Sequence, residues 1–303
     1  NRFLADNVQV IDPSDWGTEL QFSVGNGSNP QDIAFASSTK AYVSCYGSSS
    51  VLVVNPQTGA TIGSPISLAP LADGDGIPEM GRMIRVERWL LVACQRLTNF
   101  AASNPSVIAV IDTEADTLVD VVVGVPGVQG IALALRNPVT TFAFDRANTR
   151  LLLGCAGSYG ALDGGVEAID PVGLVSLGVL IGESALGGDI SDVALRDGGH
   201  AYAIVTTANN HLASWNPATG QVLDTLVTAP GGYSLPDMET NDRGELWVCR
   251  NTFGDPGLVV VRMSDDVVVA GPLPTGLPPL AVTFDGEAEI VAAPVAVAPP
   301  GPH

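Results

Sequence analysis

Residues 31–68 read QDIAFASSTKAYVSCYGSSSVLVVNPQTGATIGSPISL. Four short apolar runs stand in this stretch: DIAF, AYVSC, VLVVN and ATIGSPI. Each has strand length and is rich in β-branched or aromatic residues, and the Ser, Thr, Gly, Asn and Pro between them form turns. The stretch predicts one antiparallel sheet of four consecutive strands.

The same order recurs along the chain. MGRMIRV, WLLVAC, SVIAVID and TLVDVVV follow from Glu79; TTFAFD, RLLLGC, GVEAID and VSLGVLI from Thr140. DISDVAL, HAYAIV, HLASWN and QVLDTLV follow from Asp189; PDMET, ELWVC, LVVVRM and DVVVAGPL close the series. The period is roughly 45–60 residues, the size of a four-stranded propeller blade with generous loops. VQVID (8–12) and ELQFSV (19–24) read as third and fourth strands, AVTF (281–284) and EIVA (289–292) as first and second. Joined, they form a blade shared between the termini, which closes the ring and removes exposed strand edges. The expected fold is therefore all-β, a six-bladed β-propeller over residues 1–292, followed by a Pro-rich extended tail over 293–303. Seven blades are the alternative, if 124–138 holds extra strands.

NPQDIAF (29–35), AYVSCYGSSSVLVVNPQTGATI (41–62), VIAVIDTEADTLVDVVVG (107–124) and ASWNPATGQVLDTL (213–226) resemble the repeats of YVTN-type β-propellers. A cysteine stands where the repeat usually ends its second strand in asparagine. The resemblance covers essentially the whole chain. It implies an exported or cell-surface bacterial protein, in a family of diverse functions, many of whose members have seven blades. Fold is transferred by such a likeness more securely than function.

Asp12, Asn55, Asp112, Asp170 and Asn216 each follow a third strand. Short polar side chains there bond the backbone two residues on, so these five read as turn makers. Cys45, Cys94, Cys155 and Cys249 all end second strands. Equivalent points in neighbouring blades lie about 10 Å or more apart, beyond the roughly 7 Å that a disulfide allows. Closely paired zinc spacings are absent. Four free, buried thiols are expected.

Net charge is −19, from 32 acidic and 13 basic residues, of which Lys40 alone is lysine. This excludes the basic stripe of a nucleic-acid binder and the Lys/Arg cluster of an anionic-lipid binder. No apolar run reaches the roughly 18 residues that span a bilayer. The chain opens on Asn1 rather than methionine, as a processed export product would.

Asp32, Asp192 and Asp237 stand near the starts of first strands, and Glu79 close to that place in the second unit. First strands line the channel of a propeller. These carboxylates are thus the candidate metal site, with Ca²⁺ the cation that oxygen ligands would hold. LADGDGIP (71–78) adds Asp73 and Asp75 but lacks the remaining ligands of a calcium loop. The longer loops fall on the same rim and carry Tyr46, Phe100, Tyr159, Tyr233 and Phe253, the candidate partner-binding residues. No nucleophile elbow, phosphate loop or zinc-protease motif is present. Of the three histidines, none has a partner at ligand spacing, and lone histidines read as surface residues.

The expected function is a non-enzymatic, exported scaffold that binds a protein or surface component through its loop-rich rim. Assembly into a homo-oligomer or larger array is a further expectation. The alternative is a divalent-metal-dependent lactonase or hydrolase resembling gluconolactonase-type propellers, which rests on the acidic channel mouth.

Overall fold

The computed structural model describes residues 5–284. Strands β1 (Asn7–Ile11) and β2 (Thr18–Ser23) form a two-stranded sheet. β3 (Pro30–Ser37), β4 (Lys40–Cys45), β5 (Ser50–Val54) and β6 (Ile66–Ser67) form the next. β7 (Met80–Val86), β8 (Trp89–Cys94), β9 (Val107–Asp112), β10 (Thr117–Val119) and β11 (Ile131–Ala132) form the third. Three sheets of four follow. They are β12 (Pro138–Asp145), β13 (Arg150–Cys155), β14 (Gly165–Asp170) and β15 (Val175–Gly182); then β16 (Asp189–Asp197), β17 (His200–Thr206), β18 (Asn209–Asn216) and β19 (Gln221–Pro230); then β20 (Met238–Thr240), β21 (Glu245–Arg250), β22 (Gly257–Arg262) and β23 (Val267–Pro274). All pairings are antiparallel, and within each sheet sequential strands pair, as in a β-propeller, except that β11 pairs with β9 rather than β10.

In the third sheet β10 pairs with the Asp112 end of β9 and β11 with its Val107 end. Together they make one interrupted outer strand. Asp120 holds the intervening loop by accepting the N–H groups of Val122 and Gln129. The stretch 124–138 therefore completes this sheet and, among the described residues, adds no further one. Residues 281–284 are described but form no regular strand, and the expected strand 289–292 and the tail 293–303 lie outside the described residues.

Apolar clusters alternate with the sheets. Val24 packs with Val43 and Cys45 between the first two. Tyr42, Val53, Leu90 and Ile111 pack between the second and third, and Leu91, Ile108, Leu151 and Ile169 between the third and fourth. Leu152, Ala203 and Trp215 follow, then Leu212, Leu246 and Val261. Both faces of the four inner sheets are thus covered, and their central strands read as near-continuous apolar runs. Ala41 to Cys45, Leu90 to Cys94 and Leu151 to Cys155 are all buried.

The turns after third strands repeat with their chemistry. Asp12, Asn55, Asp112, Asp170 and Asn216 each accept the N–H two residues on, at 2.8–2.9 Å. Four residues after each, and at Asp266 in the last sheet, the backbone is left-handed: Trp16, Gly59, Asp116, Leu174, Gly220 and Asp266. Gly59 (φ 71°) and Gly220 (φ 69°) take that conformation without a Cβ penalty. All four cysteines are free and buried at the ends of second strands. Burial raises the Cys94 and Cys249 thiols to about 12 and the Cys45 thiol to about 11, and holds Cys155 well above its ordinary value.

Candidate functional site

β3, β7, β12, β16, β20 and residues 283–284 line one cavity of about 980 Å³. Equivalent residues of successive first strands face it, so position along a strand becomes depth, at about 3.3 Å per residue.

At the rim where these strands begin, the ring positions are Asp32, Arg82, Thr141, Asp192, Asp237 and Ala281. The register is fixed by hydrogen bonds between sheets. Asp32 Oδ2 accepts the Met83 N–H at 2.7 Å, Asp192 Oδ2 the Met238 N–H at 3.0 Å, and Asp237 Oδ2 the Val282 N–H at 2.8 Å. The other oxygens of Asp32 and Asp192 accept the N–H of the next residue, Ile33 and Val193, at 2.9 Å. Asp32 and Asp192 thus tie successive first strands together, and Asp237 ties the residue before β20 to Val282. Burial raises the Asp192 carboxyl to about 7, helped by the charge of Asp237, while Arg82 opposes the shift. Burial also raises Asp237, against the Val282 hydrogen bond and Arg82.

Glu79 does not join this ring. It precedes β7 in a left-handed conformation (φ 45°), and its carboxylate accepts the buried Leu97 N–H at 2.9 Å. Arg82 holds the ring position in that unit. Burial raises Glu79 to about 7, with Asp75 and Asp73 adding to the rise. Those two are loop ties. Asp73 Oδ2 accepts from Thr98 (3.1 Å) and Asn104 (2.6 Å), and Asp75 Oδ1 from the Ile77 N–H (2.9 Å). Among the described residues no group of three or more His, Cys, Asp or Glu converges as a metal-ligand set. Each of the four predicted carboxylates accepts at least one backbone N–H.

The predicted loop aromatics divide. Phe100, Tyr159, Tyr233 and Phe253 are exposed, Phe253 completely. Tyr46 is half-buried, and burial raises its phenol to about 12, with Glu79 and Tyr159 contributing. Tyr159 in turn feels Asp189 and Tyr233. Tyrosines from three different loops are therefore electrostatic neighbours. His200, read from the sequence as a surface residue, is buried beside Tyr202, with Nε2 2.9 Å from Asp266 Oδ2.

Sequence reasoning missed the opposite end of the cavity. Phe35, Arg85, Phe144, Arg146 and Phe284 line it there. Two arginines within MGRMIRV, a run otherwise fit for an inner strand, were the available signal.

No protein-family model matches the chain, and no curated protein matches it. Solved structures do. A propeller of Dos1 aligns over 94% of this chain and 70% of its own, with a TM-score of 0.64 and 12% identity. Kuenenia stuttgartiensis hydrazine synthase aligns over 78% of this chain, with a TM-score of 0.55 and 14% identity; the match spans 64% of that chain. A protein of unknown function from Bacteroides caccae aligns over 87% of this chain and 88% of its own, with a TM-score of 0.51 and 12% identity. At such identities the likeness establishes the β-propeller fold alone.

Proposed function

We propose that the chain is an exported, non-enzymatic β-propeller scaffold that binds a protein or cell-surface component through its loop-rich rim. The observation that carries this reading is the set of aromatics left in water on that rim: Phe100 (85% exposed), Tyr159 (70%), Tyr233 (69%) and Phe253 (100%). Exposed aromatics on loops of a rigid scaffold are the usual anchors of a partner interface. The rim aspartates hold backbone groups and so favour a structural role over a hydrolytic metal centre.

Six blades of YVTN type, with closure between the termini, is the finer reading of the fold. It is supported by five complete sheets, by the two-stranded sheet β1–β2, and by the Val282 N–H bonded to Asp237 as a first strand would be.

The test is capture of a partner from the surface fraction of the source organism, followed by quantitative binding. Tyr159→Ala combined with Phe253→Ala should abolish binding while leaving the thermal transition unchanged. A partner that binds wild type and variant equally sinks the rim as the interface.

A further inference from the structure

The end of the cavity away from the aspartate ring carries cations that the protein itself does not neutralise. In a chain of net charge −19, six arginines find carboxylates: Arg88, Arg136, Arg150, Arg196, Arg250 and Arg262 all form ion pairs. Among the described residues Arg82, Arg85, Arg96, Arg146 and Arg243 form none, and of these Arg85 and Arg146 line this cavity. The Arg85 Nε is buried and has no hydrogen-bond partner. The Arg146 guanidinium instead lies 5.4 Å over the ring of Phe144. Glu239 lines the cavity at a neighbouring depth and accepts the Thr240 N–H at 2.9 Å, so the two guanidiniums outnumber it.

A guanidinium with no carboxylate partner leaves its terminal N–H donors to an acceptor that enters the cavity. Its planar fork matches a carboxylate, which takes two parallel N–H bonds. Around the two arginines stand aromatic faces. Phe35 is 48% exposed although it faces the cavity, and Phe144 and Phe284 hold the equivalent depth in two other strands. Flat apolar surface beside a cation specifies an anion with a flat apolar body. The cavity volume of about 980 Å³ suits a small organic ligand.

We infer that this end of the central cavity is a binding site for an aromatic carboxylate, its carboxylate on Arg85 and Arg146 and its ring against Phe35 and Phe144. It lies at the end of the cavity opposite the loop-rich rim, so it stands or falls separately from partner binding there.

The experiment is titration calorimetry of the full chain with 2-naphthoate, beside the neutral analogue 2-naphthalenemethanol. The acid should bind with one-to-one stoichiometry and at least ten-fold tighter than the alcohol. Arg146→Gln and Arg85→Gln should each weaken it five-fold or more, and Phe35→Ala should weaken both compounds. The surface variant Arg243→Gln and the rim variant Tyr159→Ala should bind as wild type does. Arg146 and Phe35 are exposed, so their variants keep the test decisive if Arg85→Gln fails to fold. Equal affinity for acid and alcohol, unchanged binding in Arg146→Gln, or no binding of 2-naphthoate at millimolar concentration would each overturn the inference.

Discussion

The carboxylate of Asp192 accepts the backbone N–H of Met238 at 3.0 Å, joining the innermost strands of two successive sheets. Asp32 does the same for Met83, and Asp237 accepts the N–H of Val282, which lies beyond the last strand. A second tie lies further out. The Tyr42 hydroxyl donates to Asp116 at 2.6 Å and Tyr202 to Asp266 at 2.7 Å, each across a sheet boundary. Where the equivalent turn residue is Leu174, the facing second-strand residue is Leu91, and both belong to one apolar cluster. The same junction is thus made by a hydrogen bond or by apolar contact, according to the residue in the left-handed turn position.

Removing the Asp192 acceptor leaves the N–H groups of Met238 and Val193 buried without partners. Asp192→Ala should lower unfolding free energy by about 1–3 kcal/mol at pH 5, the cost of an orphaned buried donor. Asp192→Asn keeps a carbonyl acceptor and should lose less. Urea denaturation measures both, and equal stabilities of all three proteins would refute the tie.

The same residue makes stability depend on pH. Its folded-state value of about 7 lies above the ordinary 3.8, chiefly through burial and then through Asp237. Between these values the folded protein holds a proton that the unfolded chain has released. The stabilisation is complete below about pH 4 and is lost as pH rises through about 7. Asp192→Asn does not titrate, so it should gain on wild type between pH 4 and pH 7, on the order of 1 kcal/mol per pH unit. A difference between the two that stays constant over this range would contradict the assignment.

Tyr202→Phe deletes a hydroxyl bonded to Asp266 and, at 3.3 Å, to the Met263 carbonyl. The phenyl ring stays in a fully buried position. A loss of about 1–2 kcal/mol is expected, with a similar loss for Tyr42→Phe. Since the two ties lie in separate sheet junctions, the double variant should lose the sum. Thermal denaturation of the three variants tests both size and additivity.

Buried thiols with raised pKa values should not react. At pH 8 an aromatic disulfide reagent should titrate no cysteine in the native protein and all four in strong denaturant. Reductant should leave the melting temperature unchanged. Rapid native reaction of any thiol would place it nearer solvent than the fold allows.

Calcium provides a further check on the rim. With the ring carboxylates committed to N–H groups, millimolar Ca²⁺ should raise the melting temperature by less than about 1 °C. A larger rise, abolished in Asp192→Asn, would support the metal site expected from sequence.

The alternation of apolar runs with turn residues was enough to delimit nearly every strand, because a blade is built from local, sequential pairings. The Asx turns at Asn55 and Asp170 were legible for the same reason: their bonds reach only two residues along the chain. The channel carboxylates were legible as positions but not as roles. Asp32 and Met83 are 51 residues apart, and only the packing of one sheet on the next brings that N–H to that oxygen. Glu79 and Arg82 show the limit most clearly. Three residues separate them, and the left-handed turn at Glu79 moves the carboxylate out of the ring and puts a guanidinium in its place. The sequence by itself determined the repeat, the β architecture and the burial of the cysteines, since all three follow from short-range pattern. The tertiary structure alone decided which charges meet. Electrostatic neighbours in a propeller come from different sheets, and their distances are set by how the sheets stack.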